Sequence, residues 1–255
     1  MNKTEYIEVS SHDKTLRGIR HISDKNSNYV FLIVHGYFTS NKIGPHRLYV
    51  KIANELCKTY GDCYRFDLTG MGESDGEISE VKFETHFEDF CNLVDHIKKT
   101  QKKEIIIVSH CMGCNLVLES LVKKAYKFRE VIFLAPYFTS ESILELFFTN
   151  KQQLYDLYVK GFTYRNGLYA DRSFFLDNTF YDRFLSLIND SNTYINIIAA
   201  SQDQYIPFAD NEKLREQSKN VNFCYIPEAD HNFLTKQHEL ISKIIELIGD
   251  NNFSS

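Results

Sequence analysis

The chain has 255 residues and a formal net charge of −5, a balance that argues against nucleic acid as its main partner. Hydrophobic residues make up 43% of it and charged residues 25%, enough for a sizeable core, and no apolar run reaches membrane-spanning length. Six cysteines at this size do not make a disulfide framework, and Met1-Asn2-Lys3-Thr4-Glu5-Tyr6 lacks the apolar centre of a signal peptide; the expectation is a cytosolic protein with reduced thiols.

Residues 6–9 and 16–21 predict two short strands around a polar turn, and the apolar run 29–34 predicts a central strand that ends in His35-Gly36-Tyr37-Phe38. A helix is expected over 45–60, with Leu48, Ile52, Ala53 and Leu56 on one face, then a strand over 63–66. Phe87, Phe90, Leu93, Val94 and Ile97 mark an amphipathic helix over 83–99. Ile105 to Val108 is β-branched throughout, and apolar positions from Asn115 onward recur at helical spacing, so strand passes to helix across Ser109-His110-Cys111-Met112-Gly113. A strand over 130–135 follows. Residues 136–193 are rich in Phe, Tyr and Leu without strand–helix alternation and predict a mostly helical insertion over the sheet. Alternation resumes with strand 195–200, helix 209–218, strand 222–226 and helix 234–248. Such alternation implies right-handed crossovers and a mostly parallel sheet, with ligands at the carboxyl ends of its strands. Five loops leave those ends: 35–44, 67–80, 109–113, 201–208 and 227–233.

Cys111 stands at the apex of the strand-to-helix turn, at a helix N-terminus where free N–H groups favour negative charge. That setting lowers a thiol pKa and makes the thiolate nucleophile. Two other readings compete: a buried cysteine behaving as a small hydrophobe, and a Cys111–Cys114 redox pair of Cys-x-x-Cys type. The loops after the later strands weigh against both. Asp203 lies in Ser201-Gln202-Asp203 and His231 in Asp230-His231-Asn232, each just beyond a predicted strand. A thiol nucleophile needs a base within hydrogen-bond reach and a group to orient that base, and Cys111, His231 and Asp203 supply the three types. No cluster with zinc-ligand spacing accompanies them, so no metal is expected. Cys57, Cys63, Cys91 and Cys224 fall in predicted helices or strands and read as core.

From about Tyr6 to Ile248 the chain resembles the α/β-hydrolase fold. His35-Gly36-Tyr37-Phe38 is similar to the family's His-Gly segment after the third strand. Arg65-Phe66-Asp67 with Gly70-Met71-Gly72-Glu73-Ser74-Asp75-Gly76 resembles the loop after the fourth strand in cinnamoyl- and feruloyl-esterase-like serine hydrolases. The family's Gly-x-Ser-x-Gly elbow is here Ser109-His110-Cys111-Met112-Gly113; cysteine in place of serine resembles dienelactone hydrolases and some acyltransferase and thioesterase members. The resemblance implies a mostly parallel central sheet flanked by helices, a core from 1–135 and 194–255, and a cap from 136–193. It also implies an oxyanion hole of the Tyr37 and Met112 N–H groups.

The expected chemistry is acyl transfer through a Cys111 acyl-thioester, with His231 as base and Asp203 orienting it. The substrate is expected to be a small-molecule acyl compound, free or bound to a carrier or coenzyme A, and no cofactor is called for. Hydrolysis of an ester or thioester is the first expectation. Transfer to an amine or alcohol, or ring closure, is the alternative, because a thioester reacts readily with amines. A non-catalytic binding module on the same fold is the third reading. His110, Phe38, Phe147, Phe162 and Ile206 are expected to contact substrate, within an aromatic pocket to which Phe148, Tyr164, Phe174 and Phe175 also contribute.

Overall fold

A computed structural model describes residues 3–37, 41–138, 144, 146–176, 184, 193–217 and 221–250. Its strands in chain order are β1 (Lys3–Ser11), β2 (Lys14–Ile22), β3 (Tyr29–Val34), β4 (Cys63–Phe66), β5 (Glu104–His110), β6 (Glu130–Leu134), β7 (Phe162–Arg165), β8 (Leu168–Asp171), β9 (Tyr194–Ala200) and β10 (Asn222–Ile226). The helices are α1 (Leu48–Thr59), α2 (Phe83–Gln101), α3 (Gly113–Lys123), α4 (Lys151–Lys160), α5 (Phe208–Gln217) and α6 (Gln237–Asp250). Eight strands form one sheet in the order β1-β2-β4-β3-β5-β6-β9-β10. β1 and β2 are antiparallel to each other, and β2 is antiparallel to β4; from β4 onward every pairing is parallel.

Alternation along the central strands divides the core in two. Val30, Leu32 and Val34 of β3 join Phe90, Val94 and Ile97 of α2 and Leu116 of α3 on one face. Phe31 and Ile33 join Leu48, Ile52 and Leu56 of α1 and Leu240 and Ile244 of α6 on the other. A strand buried on both faces has no polar side, which is why these runs are continuously apolar. The helix expected over 45–60 begins as a 3-10 turn at Pro45–Arg47, and α1 proper starts at Leu48. Cys57, Cys63 and Cys91 are core residues and Cys224 is half-buried.

The segment after β6 differs from its expectation. Helix α4 is there, but it is followed by an antiparallel hairpin, with Phe162 opposite Asp171 and Arg165 opposite Leu168. Asn166 and Gly167 form its two-residue turn at φ 51° and 80°, the left-handed pair that a tight hairpin needs. The Tyr37 hydroxyl ties the hairpin to the loop after β3: Tyr37 Oη donates to the Tyr169 carbonyl at 3.2 Å and accepts from the Asp171 N–H at 3.3 Å.

Candidate active site

β5 delivers Cys111 in a left-handed conformation, φ 54°, costly for a residue with a Cβ and held there by its surroundings. The Cys111 N–H donates to the Leu134 carbonyl of β6 at 3.0 Å, and α3 begins two residues later. The helix start is pressed onto the loop after β3: a Cβ on Gly113 would lie 2.4 Å from the His35 carbonyl oxygen, and one on Gly36 would lie 3.1 Å from Cys111 Cβ. Only glycine at position 113 admits that approach. The His35 ring fixes the same loop. Its Nδ1–H donates to the Gly36 carbonyl at 2.7 Å and its Nε2 accepts the Leu68 N–H at 3.1 Å, a neutral tautomer consistent with burial lowering its pKa. Among the described residues the Met112 N–H has no acceptor.

The loops after β9 and β10 are bonded to each other. The Gln202 N–H donates to the Ala229 carbonyl at 2.8 Å, the Glu228 N–H to Ser201 Oγ at 2.8 Å, and the His231 N–H to Gln204 Oε1 at 3.2 Å. Asp203 Oδ1 accepts the Tyr205 and Ile206 N–H groups at 2.8 and 2.9 Å, which aims Oδ2 at His231 Nδ1, 2.7 Å away. That leaves the far edge of the ring to the cavity, which Cys111 also lines. Burial pushes the His231 pKa down; its interactions with Cys111 and Asp203 outweigh it and hold it up at about 10.

Beneath lies His110. Its Nε2 donates to the His231 carbonyl at 3.0 Å, so its Nδ1 accepts from the Tyr49 hydroxyl at 2.8 Å. Burial, then the charge of His231, lower its pKa to about 3, and the ring stays neutral. It supports the histidine loop and has no free nitrogen for substrate.

Above Cys111 is a cavity of about 280 Å³ lined by both histidines, Gly36, Tyr37, Pro45 and Asn232 from below and by Phe147, Arg165, Asn166, Leu168 and Tyr205 around and above. The expected contacts therefore sort unevenly. Phe147 lines the cavity. Phe162 does not: it stands 36% exposed on the outward face of β7, stacked on Tyr169 at 5.5 Å. Ile206 is buried in the core, its N–H on Asp203, and also misses the cavity wall. Phe38 lies outside the described residues. Phe148, Phe174 and Phe175 are packed fully beneath, and Tyr164 borders a neighbouring pocket with Ile78 and Val81. Arg165, Leu168 and Tyr205 were not among the sequence candidates. The Asn166-Gly167 turn was the signal available for the first two, since it fixes the hairpin and hence which side chains alternate inward.

Cys114 forms no disulfide with Cys111; it is a free, buried thiol within 3.5 Å of Ser109 Oγ, and burial raises its pKa. Among the described residues no group of three or more metal-ligating side chains is assembled, and no helix is long and apolar enough to cross a membrane.

A mostly parallel eight-stranded sheet flanked by helices, with an elbow after β5, is the α/β-hydrolase fold, as solved structures bear out. Est1E of Butyrivibrio proteoclasticus, solved with ferulic acid, superposes with a TM-score of 0.76 at 17% identity, covering 96% of this chain and 98% of its own. An esterase of Pyrococcus furiosus gives a TM-score of 0.71 at 16% identity, over 98% of this chain and 91% of its own. An α/β serine hydrolase homologue of Coxiella burnetii gives 0.68 at 16%, over 96% and 97%. No curated protein matches the sequence significantly. The family described as serine aminopeptidase, S33, matches residues 25–173, more than half the chain, and the protein belongs to that hydrolase family.

Proposed function

We propose that the protein is an acyl-transfer enzyme that hydrolyses an ester or thioester through a Cys111 acyl-thioester. The observation carrying this reading is His231, bonded to Asp203 through Nδ1 at 2.7 Å and lining the same cavity floor as Cys111. Cys111 Sγ attacks the acyl carbonyl and a sulfur–carbon bond forms. The oxyanion is held by the Met112 and Tyr37 N–H groups. The carbonyl re-forms, the bond to the leaving oxygen or sulfur breaks, and His231 gives that atom its proton. Water then attacks with His231 as base, and Cys111 is released. In this reading residues 136–193 are a cap on a core of 1–135 and 194–255, and the substrate is a small acyl compound, free or on a carrier or coenzyme A. Est1E and the Pyrococcus protein carry the names of esterases, which agrees with the donor class. Cysteine at 111 supports a second reading, in which an amine discharges the thioester instead of water.

Intact-protein mass spectrometry after mixing with aryl esters and acyl thioesters tests this. An acyl adduct is expected on the parent and absent from Cys111→Ala; discharge by water separates hydrolase from amine transferase. No adduct with any donor, together with a Cys111 that resists alkylation in the native fold, sinks the reading.

A further inference from the structure

Arg165 is the last residue of β7, and it faces the cavity beside Cys111 and His231. Its guanidinium carbon sits 4.2 Å from the ring centroid of Phe147 and 5.4 Å from that of Tyr205. Tyr205 in turn meets the His231 ring edge to face at 5.1 Å, so the guanidinium is one ring away from the reacting pair. Among the described residues Arg165 makes no hydrogen bond and no ion pair, and no carboxylate lines the cavity. The Tyr137 hydroxyl, buried with no hydrogen-bond partner among the described residues, belongs to a ring that meets Phe147 at 6.0 Å.

A guanidinium held by two rings keeps five N–H donors in one plane, preorganised for a bidentate oxyanion. Among the described residues no acceptor takes them. Asp203 does not compensate the guanidinium, since its side chain is 1% exposed and committed to His231 and two backbone N–H groups. Resting on the acyl-transfer reading above, we propose that Arg165 is a specificity-determining residue that binds a carboxylate or phosphate carried by the acyl donor. The acceptable donors are then acids as well as esters: an acyl chain ending in a carboxylate, or a leaving group bearing a phosphate.

Two measurements test it, and the first needs no turnover. Cys111 is alkylated with iodoacetate and with iodoacetamide in the parent, Arg165→Met and Arg165→Lys, with Cys111→Ala correcting for the other thiols. In both reagents sulfur displaces iodide; only the first brings a carboxylate. The iodoacetate-to-iodoacetamide rate ratio is expected to fall about tenfold in Arg165→Met and to be largely retained in Arg165→Lys. An unchanged ratio overturns the proposal, and equal slowing with both reagents assigns Arg165 to packing only. The second compares aryl esters whose acyl chains end in a carboxylate or its methyl amide, and acyl thioesters of phosphopantetheine or pantetheine. The parent is expected to prefer one charged donor at least tenfold in kcat/KM, and Arg165→Met to lose that preference. Which pair shows it tells acyl-chain carboxylate from leaving-group phosphate; no preference in either overturns the proposal. Should no donor acylate the parent, the acyl-transfer reading fails while the alkylation ratio still decides the anion site.

Discussion

Cys111, His231 and Asp203 stand on strand ends whose loops are tied by directional bonds: the Cys111 N–H to β6, the Gln202 N–H to the histidine loop, the Asp203 carboxylate to two N–H groups. Phe147, from the segment before α4, and Arg165 and Leu168, from the hairpin, reach the same cavity, and rings join that segment to the floor, with Tyr37 on Phe174 at 4.2 Å and Phe147 on Tyr205 at 5.6 Å. Hydrogen bonds fix distances to a few tenths of an ångström, whereas apolar contacts tolerate sliding and repacking. The floor is built for geometry and the roof for shape. In the proposed reaction, proton transfer at His231 needs the former, and selection among donors needs only the latter.

If that division holds, the largest effects come from single atoms of the floor. Asp203→Asn keeps volume and reverses one donor. The carboxylate accepts His231 Nδ1–H and so leaves Nε2 for Cys111; an amide nitrogen at that place would favour the opposite tautomer. Turnover of any accepted ester is expected to fall by about 10³-fold or more with little change in Tm. A drop under tenfold would break the contrast, because the floor would then be as tolerant as the roof.

The floor was also the more legible half. A β-branched run, a short turn and a helical repeat are local signals, and they locate Cys111 whatever the rest of the chain does. Asp203 and His231 follow from the same rule applied to later strand ends. The roof depends on pairings between distant residues: Arg165 matters because Phe147 and Tyr205 fold against it. Composition alone suggested an aromatic lining, and that picked Phe162, which is on the wrong face. Period two along β7 puts Phe162 and Tyr164 outward and Thr163 and Arg165 inward. That alternation becomes readable only once Asn166-Gly167 is taken as a hairpin turn rather than as part of a helical stretch.

The histidines beneath the cavity give the comparison a pH dependence. Burial holds His86 and His110 at about 3, well below the 6.5 of an exposed ring. A pKa depressed in the fold contributes stability that is complete above 6.5 and is lost as pH falls from there to about 3, at roughly 1 kcal/mol per histidine per pH unit. His231 has the opposite sign. Its pKa is raised to about 10, so its contribution is complete below 6.5 and lost as pH rises through about 10. Urea unfolding from pH 4 to 10 is expected to show both limbs in the parent. Cys111→Ala removes an interaction that holds His231 up, and it is expected to lose much of the alkaline limb while keeping the acid one. An alkaline limb unchanged in that variant would mean that Cys111 and His231 are not coupled.

The smallest effect sharpens the comparison most, because it tests a directional link between hairpin and floor. Tyr37 Oη accepts from Asp171 and donates to Tyr169, while its ring stacks on Phe174. Tyr37→Phe removes the hydroxyl and keeps the ring, leaving the Tyr169 carbonyl and Asp171 N–H unpaired at a buried site. The cost is about 1 kcal/mol, read as a shift in the urea midpoint at constant m-value. Its backbone N–H is untouched, so the expected kinetic signature is a rise in KM of a few-fold with kcat nearly unchanged. A fall in kcat with constant KM would mean that the hairpin helps to set the geometry at Cys111, and the roof would then belong to the catalytic frame.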